Sequence, residues 1–130
     1  MSIQPSDLFD LARGLLADQG EVRHRAAASR AYYAAYHLCL AVKAKHRIPE
    51  YSTNEPAGTH DRLFRSFENC AGLEPKTNAR VQTLGGKLRQ CHRFRTEADY
   101  RISQHFSLQR ATQAVSEARQ VEKIAQELLK

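Results

Sequence analysis

The chain has no tryptophan, one methionine, four prolines and only three cysteines in 130 residues. Cys39, Cys70 and Cys91 are odd in number and share no paired spacing, which argues against a disulfide scaffold and for a reducing compartment. No apolar run is long enough to span a bilayer. The N-terminus lacks the basic-then-apolar order of a secretory signal. A cytoplasmic protein without membrane contact is therefore expected. Acidic residues are scarce as well: 14 Asp and Glu face 20 Lys and Arg, a net charge of +6. That balance suits RNA, DNA, nucleotides or an acidic protein partner. Period-two alternation is missing throughout, so no strand is expected. The chain is long enough to bury a core as one domain, residues 1–130.

What is present is helix. Ala26 to Leu40 contains neither Gly nor Pro and is rich in Ala, the best helix former. Tyr33, Tyr36, His37 and Leu40 recur at i, i+3, i+4 and i+7 and so share one face. Ser29, Arg30, Tyr33 and His37 form an overlapping row. The small residues between the aromatics let neighbouring helices come close. This stretch belongs to a long second helix, Glu21 to Lys45. A first helix is predicted over Pro5–Ala17 with Ser6 as its cap. A third starts at Thr59 or Asp61 and stops at Gly72, after a loop over residues 50–58. A fourth starts at Glu74-Pro75, carries the stripe Val81, Leu84, Leu88 and Cys91, and fades near Ala98. Gly85-Gly86 inside it implies a kink or the close approach of another helix. Residues 99–106 read as irregular. Ser107 caps a fifth helix with the stripe Ala111, Ala114, Val115, Ala118, Val121, Ile124, Ala125 and Leu128. The expected fold is an all-α bundle of about five helices.

Few of the usual chemical motifs are there. The six histidines (24, 37, 46, 60, 92 and 105) include no His-Glu-x-x-His pair, and no metal or other cofactor is expected. Gly85-Gly86-Lys87 lacks the rest of a P-loop. Ser29 reads as a hydrogen-bonding core residue, and Cys39 and Cys91 as small core residues. Two arrangements are sharper. Arg30 and His37 lie just under two turns apart, on one face, separated by about 10 Å. They could stabilise phosphate charge and transfer a proton, as metal-free RNA cleavage requires; equally, Arg30 could sit in an internal ion pair and His37 in a hydrogen-bonded core. The second is the basic stretch Lys87, Arg89, His92, Arg93, Arg95 and Arg101, opposed only by Glu97 and Asp99. Phe94 and Tyr100 interleave with it and could stack on bases; the alternative is a solvated face with one buried pair.

Together these segments resemble the HEPN domain family, and more narrowly the small stand-alone HEPN proteins that often accompany a minimal nucleotidyltransferase. The matching residues are Ser29-Arg-Ala-Tyr-Tyr-Ala-Ala-Tyr-His37, Thr59-His60, and Leu88-Arg89 through Arg95-Thr-Glu-Ala-Asp-Tyr100. The resemblance implies an up-and-down HEPN-like bundle, a homodimer, and a role in RNA cleavage, in a toxin–antitoxin or defence module, or in nucleotide binding beside a nucleotidyltransferase partner. Active members place an Arg, four to six residues, then a His late in the bundle. Here Arg95 is followed after four residues by Tyr100, so tyrosine stands at the expected histidine position. Arg101 to His105 has one residue too few.

A buried Arg30–Asp99 pair, with Tyr33 and Tyr100 completing its hydrogen bonds, is the expected polar core. Three functions follow. The first is a basic binding module for RNA, a nucleotide or a nucleotidyltransferase, using Lys87, Arg89, Arg93, Arg95, Tyr100 and Arg101. The second is a metal-independent ribonuclease toxin, with Arg95 and His92 or His105 as its machinery and Arg30 with His37 as the alternative pair. The third is a non-catalytic structural or regulatory subunit.

Overall fold

The computed structural model describes residues 2–52 and 54–130. It is an all-α bundle of five helices: α1 (Pro5–Ala17), α2 (Glu21–His46), α3 (Thr59–Glu68), α4 (Pro75–Tyr100) and α5 (Leu108–Leu128). The loop expected over residues 50–58 is non-helical where it is described; Thr53, within it, and Met1 lie outside the described residues. No helix is long and apolar enough to cross a membrane.

α2 is the centre. It packs against α1, α4 and α5, and α3 packs on α4. Contacts between the ends fix the directions. Arg25 meets the carbonyls of Glu97 and Ala98, so α2 and α4 are antiparallel. Lys87 reaches Gln120 and Arg110 reaches Glu97, so α4 and α5 are antiparallel too. His46 meets the Leu128 carbonyl at the shared end of α2 and α5.

Because three helices crowd α2, its inward residues are small: Ala27, Ala28, Ala31, Ala34, Ala35 and Cys39 are buried. One ring fits among them, and it is Tyr32. The face expected to turn inward is instead a flank. Tyr33 and Tyr36 are half-buried, and His37 and Leu40 are exposed. The period was right, but the phase was set by alanine packing rather than by the aromatics.

The caps explain most boundaries. α1 spans the expected Pro5–Ala17, but its cap is Gln4, two residues before Ser6. Pro5 takes the first helical position, and the Gln4 N–H donates to Asp7 Oδ2 at 2.7 Å in a capping box. Gly58 caps α3, in place of Thr59 or Asp61. Glu74 accepts from the N–H groups of Lys76 and Thr77 at 3.2 Å each, and Ser107 Oγ accepts from Arg110 N at 3.0 Å. α2 closes on Arg47 in the left-handed region, φ 52°, with Ile48 N bonded to Lys43 O at 3.1 Å. α4 runs two residues past Ala98, so Asp99 and Tyr100 are helical and the irregular segment starts at Arg101.

The glycine pair resolves as a close approach. A Cβ on Gly85 would lie 2.7 Å from Phe67 Cβ and 3.1 Å from the Glu68 N, whereas one on Gly86 meets nothing within 4 Å. Gly85→Ala must push α3 off α4 and should lower stability by about 1–3 kcal/mol. Gly86→Ala should raise it by about 0.5–1 kcal/mol through helix propensity. Thermal denaturation of both variants reads the opposite signs.

Candidate functional site

The residues that can do chemistry gather where α2, α3 and the second half of α4 meet. Arg95 is the hub. Its side chain is only 13% exposed. Arg95 Nη2 donates to Tyr33 Oη at 2.8 Å and to Tyr100 Oη at 3.2 Å. Its guanidinium carbon lies 5.2 Å from each of those ring centroids. Arg95 Nε lies 2.9 Å from Asp99 Oδ2 but is not aligned as a hydrogen-bond donor to it. That contact is therefore Coulombic, and the Nε–H has no partner among the described residues.

Asp99 also accepts from Ser29 Oγ at 3.1 Å, and Arg30 Nη2 donates to the same Ser29 Oγ at 3.4 Å. The tyrosine-rich helix and the Ala-Asp-Tyr corner thus touch. The expected Arg30–Asp99 ion pair is not what joins them. Asp99 is one helical turn from Arg95 on α4, and that proximity wins; Arg30 sits 5.4 Å over the Tyr33 ring instead.

Beside Arg95 lies a ring cluster. His60 at the start of α3 and His92 on α4 have centroids 5.2 Å apart. Tyr32, 1% exposed, contacts both, at 5.5 and 5.3 Å. Tyr36 lies 4.8 Å from His60, and Phe64 5.4 Å from His92. Burial holds both imidazoles below the usual histidine range. Arg95 adds to this at His60; at His92 the additional causes are His60, Arg95 and Arg89, opposed by Asp61. Burial also pushes the Tyr32 phenol far up.

The remaining candidates divide. Arg93 and Tyr100 are exposed on α4, and Tyr100 is 64% exposed. Arg89 is clamped by Glu68 and Asp61, with hydrogen bonds of 2.6, 3.1 and 3.1 Å, so its charge is largely spent on holding α3. Lys87 turns toward α5, bonding Gln120 at 2.7 Å. Arg101 is exposed past the helix end, and its carbonyl accepts from Arg25. The basic stretch therefore winds around α4 rather than lining one face. His105 is tied to Glu21 Oε1 at 2.6 Å and makes no contact with Arg95 or His92 among the described residues. Arg30 and His37 likewise make none with each other. No group of three metal-ligating side chains occurs among the described residues. A cleft of about 480 Å³ between the start of α4 and the end of α5 is lined by residues that include Lys76, Arg80, Lys123 and Glu127. It contains none of these candidates, so it is separate from the chemistry.

Residue spacing does not mark His60 and Tyr32 as site residues. They lie 32 and 60 positions before His92 in the chain, so no local period links them. The Arg95–Asp99 spacing of four was a readable signal, once α4 is allowed to reach Tyr100.

The fold and site together define a five-helix bundle with an arginine–tyrosine platform beside a histidine pair. Comparison with protein-family models finds no match, and searches of the curated proteins and of the solved structures find none either.

Proposed function

We propose that this chain is a HEPN-like, RNA-associated protein that binds single-stranded RNA at the Arg95–Tyr100 platform. It acts as a cytoplasmic homodimer in a toxin–antitoxin or defence module with a nucleotidyltransferase partner. One observation carries the binding reading: the exposed Tyr100 ring lies 5.2 Å from a guanidinium that donates to its hydroxyl and that the Tyr33 hydroxyl helps to fix in place. A base can stack on such a ring while its phosphate meets the arginine. The HEPN assignment, the partner and the dimer rest on the sequence resemblance.

A second reading, metal-independent RNA cleavage, is favoured by the His60–His92 pair, 5.2 Å apart and beside Arg95. Arg95 would neutralise phosphate charge and His92 would exchange the proton. Incubation of the protein with total RNA in EDTA separates the two readings. Salt-sensitive binding without cleavage is the expected result. Cleavage abolished by His92→Gln or His60→Gln, but not by His105→Ala or His37→Ala, would replace binding with catalysis. Neither binding nor cleavage would remove both readings.

A further inference from the structure

The ring cluster has a proton arrangement that can be worked out. Tyr32 Oη lies 2.5 Å from His60 Nδ1. Burial holds the phenol far above the usual tyrosine range, so it carries its proton at neutral pH. His60 Nδ1 is the one hydrogen-bond partner of that hydroxyl among the described residues, and a buried O–H without an acceptor is costly, so we assign the donor role to Tyr32. With that assignment His60 accepts at Nδ1, and its one proton sits on Nε2. Neither His60 Nε2 nor either ring nitrogen of His92 has a hydrogen-bond partner among the described residues. Arg95 Nε is the one fully buried side-chain nitrogen or oxygen without a partner among the described residues, so these imidazole nitrogens are open to solvent and accessible to a ligand.

The charges around them set its class. α2 contributes Tyr32, Tyr33, Tyr36 and the Arg30 over Tyr33. α3 contributes Asp61, Arg65 and Glu68, and α4 contributes Arg89, Arg95 and Asp99. Arg65, Arg89 and Arg95 are ion-paired with the three carboxylates, and Arg30, over Tyr33, is the one arginine of the four without an ion pair among the described residues. An oxyanion would find an Nε2–H donor at His60, and a proton on His92 would add positive charge at the ring pair itself.

We propose that His60 and His92 form a receptor for one phosphodiester oxyanion, that Tyr32 is the positioning residue fixing His60 as an Nε2–H donor, and that anion uptake is coupled to protonation of His92. This deepens the RNA reading by naming the group bound and its pH control. In the free protein both histidines resist protonation while their unfolded counterparts take up protons near pH 6.5, so the unliganded fold loses stability as pH falls through that value. The anion reverses the balance, because it favours the protonated ring.

The test uses nitrogen-15 spectra of the histidine side chains and titration with dimethyl phosphate, a monoanion at every pH used. The free protein should show His60 as the Nε2–H tautomer. Dimethyl phosphate should shift both His60 and His92, with affinity rising about fivefold or more between pH 7.5 and pH 6.0, within the tenfold per pH unit that one linked proton allows. Tyr32→Phe keeps the ring and the fold but should mix the His60 tautomers and weaken binding about threefold or more. His92→Gln should abolish the pH dependence. An Nδ1–H tautomer at His60, unmoved histidine signals, or equal affinity at both pH values would overturn the proposal. RNA provides the separation from the earlier reading. Dimethyl phosphate binding without RNA binding keeps the receptor and removes the RNA function. RNA binding that moves Tyr100 but neither histidine keeps the RNA function and removes the receptor.

Discussion

Arg25→Met should lower the stability of the bundle by about 3 kcal/mol, the largest single loss expected outside the apolar core. The Arg25 side chain is 11% exposed and spends all its donors. Nη1 donates to the carbonyls of Glu97 and Ala98 at 3.1 and 2.9 Å. Nη2 donates to those of Arg101, at 3.2 Å, and Gln104. Nε is paired with Glu21 at 3.0 Å. Glu97 O and Arg101 O also accept from the N–H groups of Arg101 and Gln104, whereas the Ala98 and Gln104 carbonyls have no backbone donor among the described residues. One guanidinium therefore closes α4, orders the connection and ties both to the start of α2. Methionine keeps the apolar stem over Phe106, whose ring lies 5.5 Å below the guanidinium, but leaves the Ala98 and Gln104 carbonyls unpaired. For a chain of this size about 3 kcal/mol corresponds to a fall of about 12 °C in Tm. Glu21→Gln, which removes only a partly exposed partner, should cost less than about 1 kcal/mol. Equal, small effects of both substitutions would show that Arg25 is not the lock.

Arg95→Met should weaken binding of a short single-stranded RNA by about 30-fold or more, the largest functional effect of any single substitution here. Two losses combine. The phosphate loses its cation, which also lowers the slope of log affinity against log salt by about 1. The Tyr100 ring loses its backing and its hydrogen bond, and base stacking on such a ring contributes about 1–3 kcal/mol. Arg95→Lys should recover the salt slope but not the affinity, because a compact ammonium does not reproduce the planar guanidinium that contacts both rings and bonds both hydroxyls. An unchanged salt slope in Arg95→Met would remove Arg95 from the phosphate contact.

How much of this could be read from the chain follows from where each signal lies. Helix number and most helix starts are legible because the periodicities are local and Pro5, Pro75 and Ser107 each start a helix by their own chemistry; the ends are less so, since α3 stops at Glu68 rather than at Gly72 and α4 runs on to Tyr100. The inward phase of α2 is not legible, because Tyr32 and Tyr33 are neighbours in a stretch where either could face the core, and only the alanine contacts with three other helices decide. Arg25 looked like one of several basic residues at a helix start. Its role depends on carbonyls more than 70 positions away. The late segment from Arg95 to Tyr100 was marked in advance as the place to look, and Arg95 is the hub there. Asp99 pairs with Arg95 rather than with the expected Arg30 because α4 continues past Ala98 to Tyr100, which puts Asp99 on the face that Arg95 shares.

The central claim is that the ring of Tyr100, lying on Arg95, receives a base of single-stranded RNA. Tyr100 is exposed, and its removal costs the fold one hydrogen bond and one ring contact of Arg95, about 1 kcal/mol. The direct measurement is the affinity of one short oligoribonucleotide for the unmodified protein and for Tyr100→Ala, at matched salt, with Tm recorded for both. The expected result is a loss of about tenfold at a temperature where both proteins are folded, with no change in the salt slope. Equal affinity for the two proteins would contradict it.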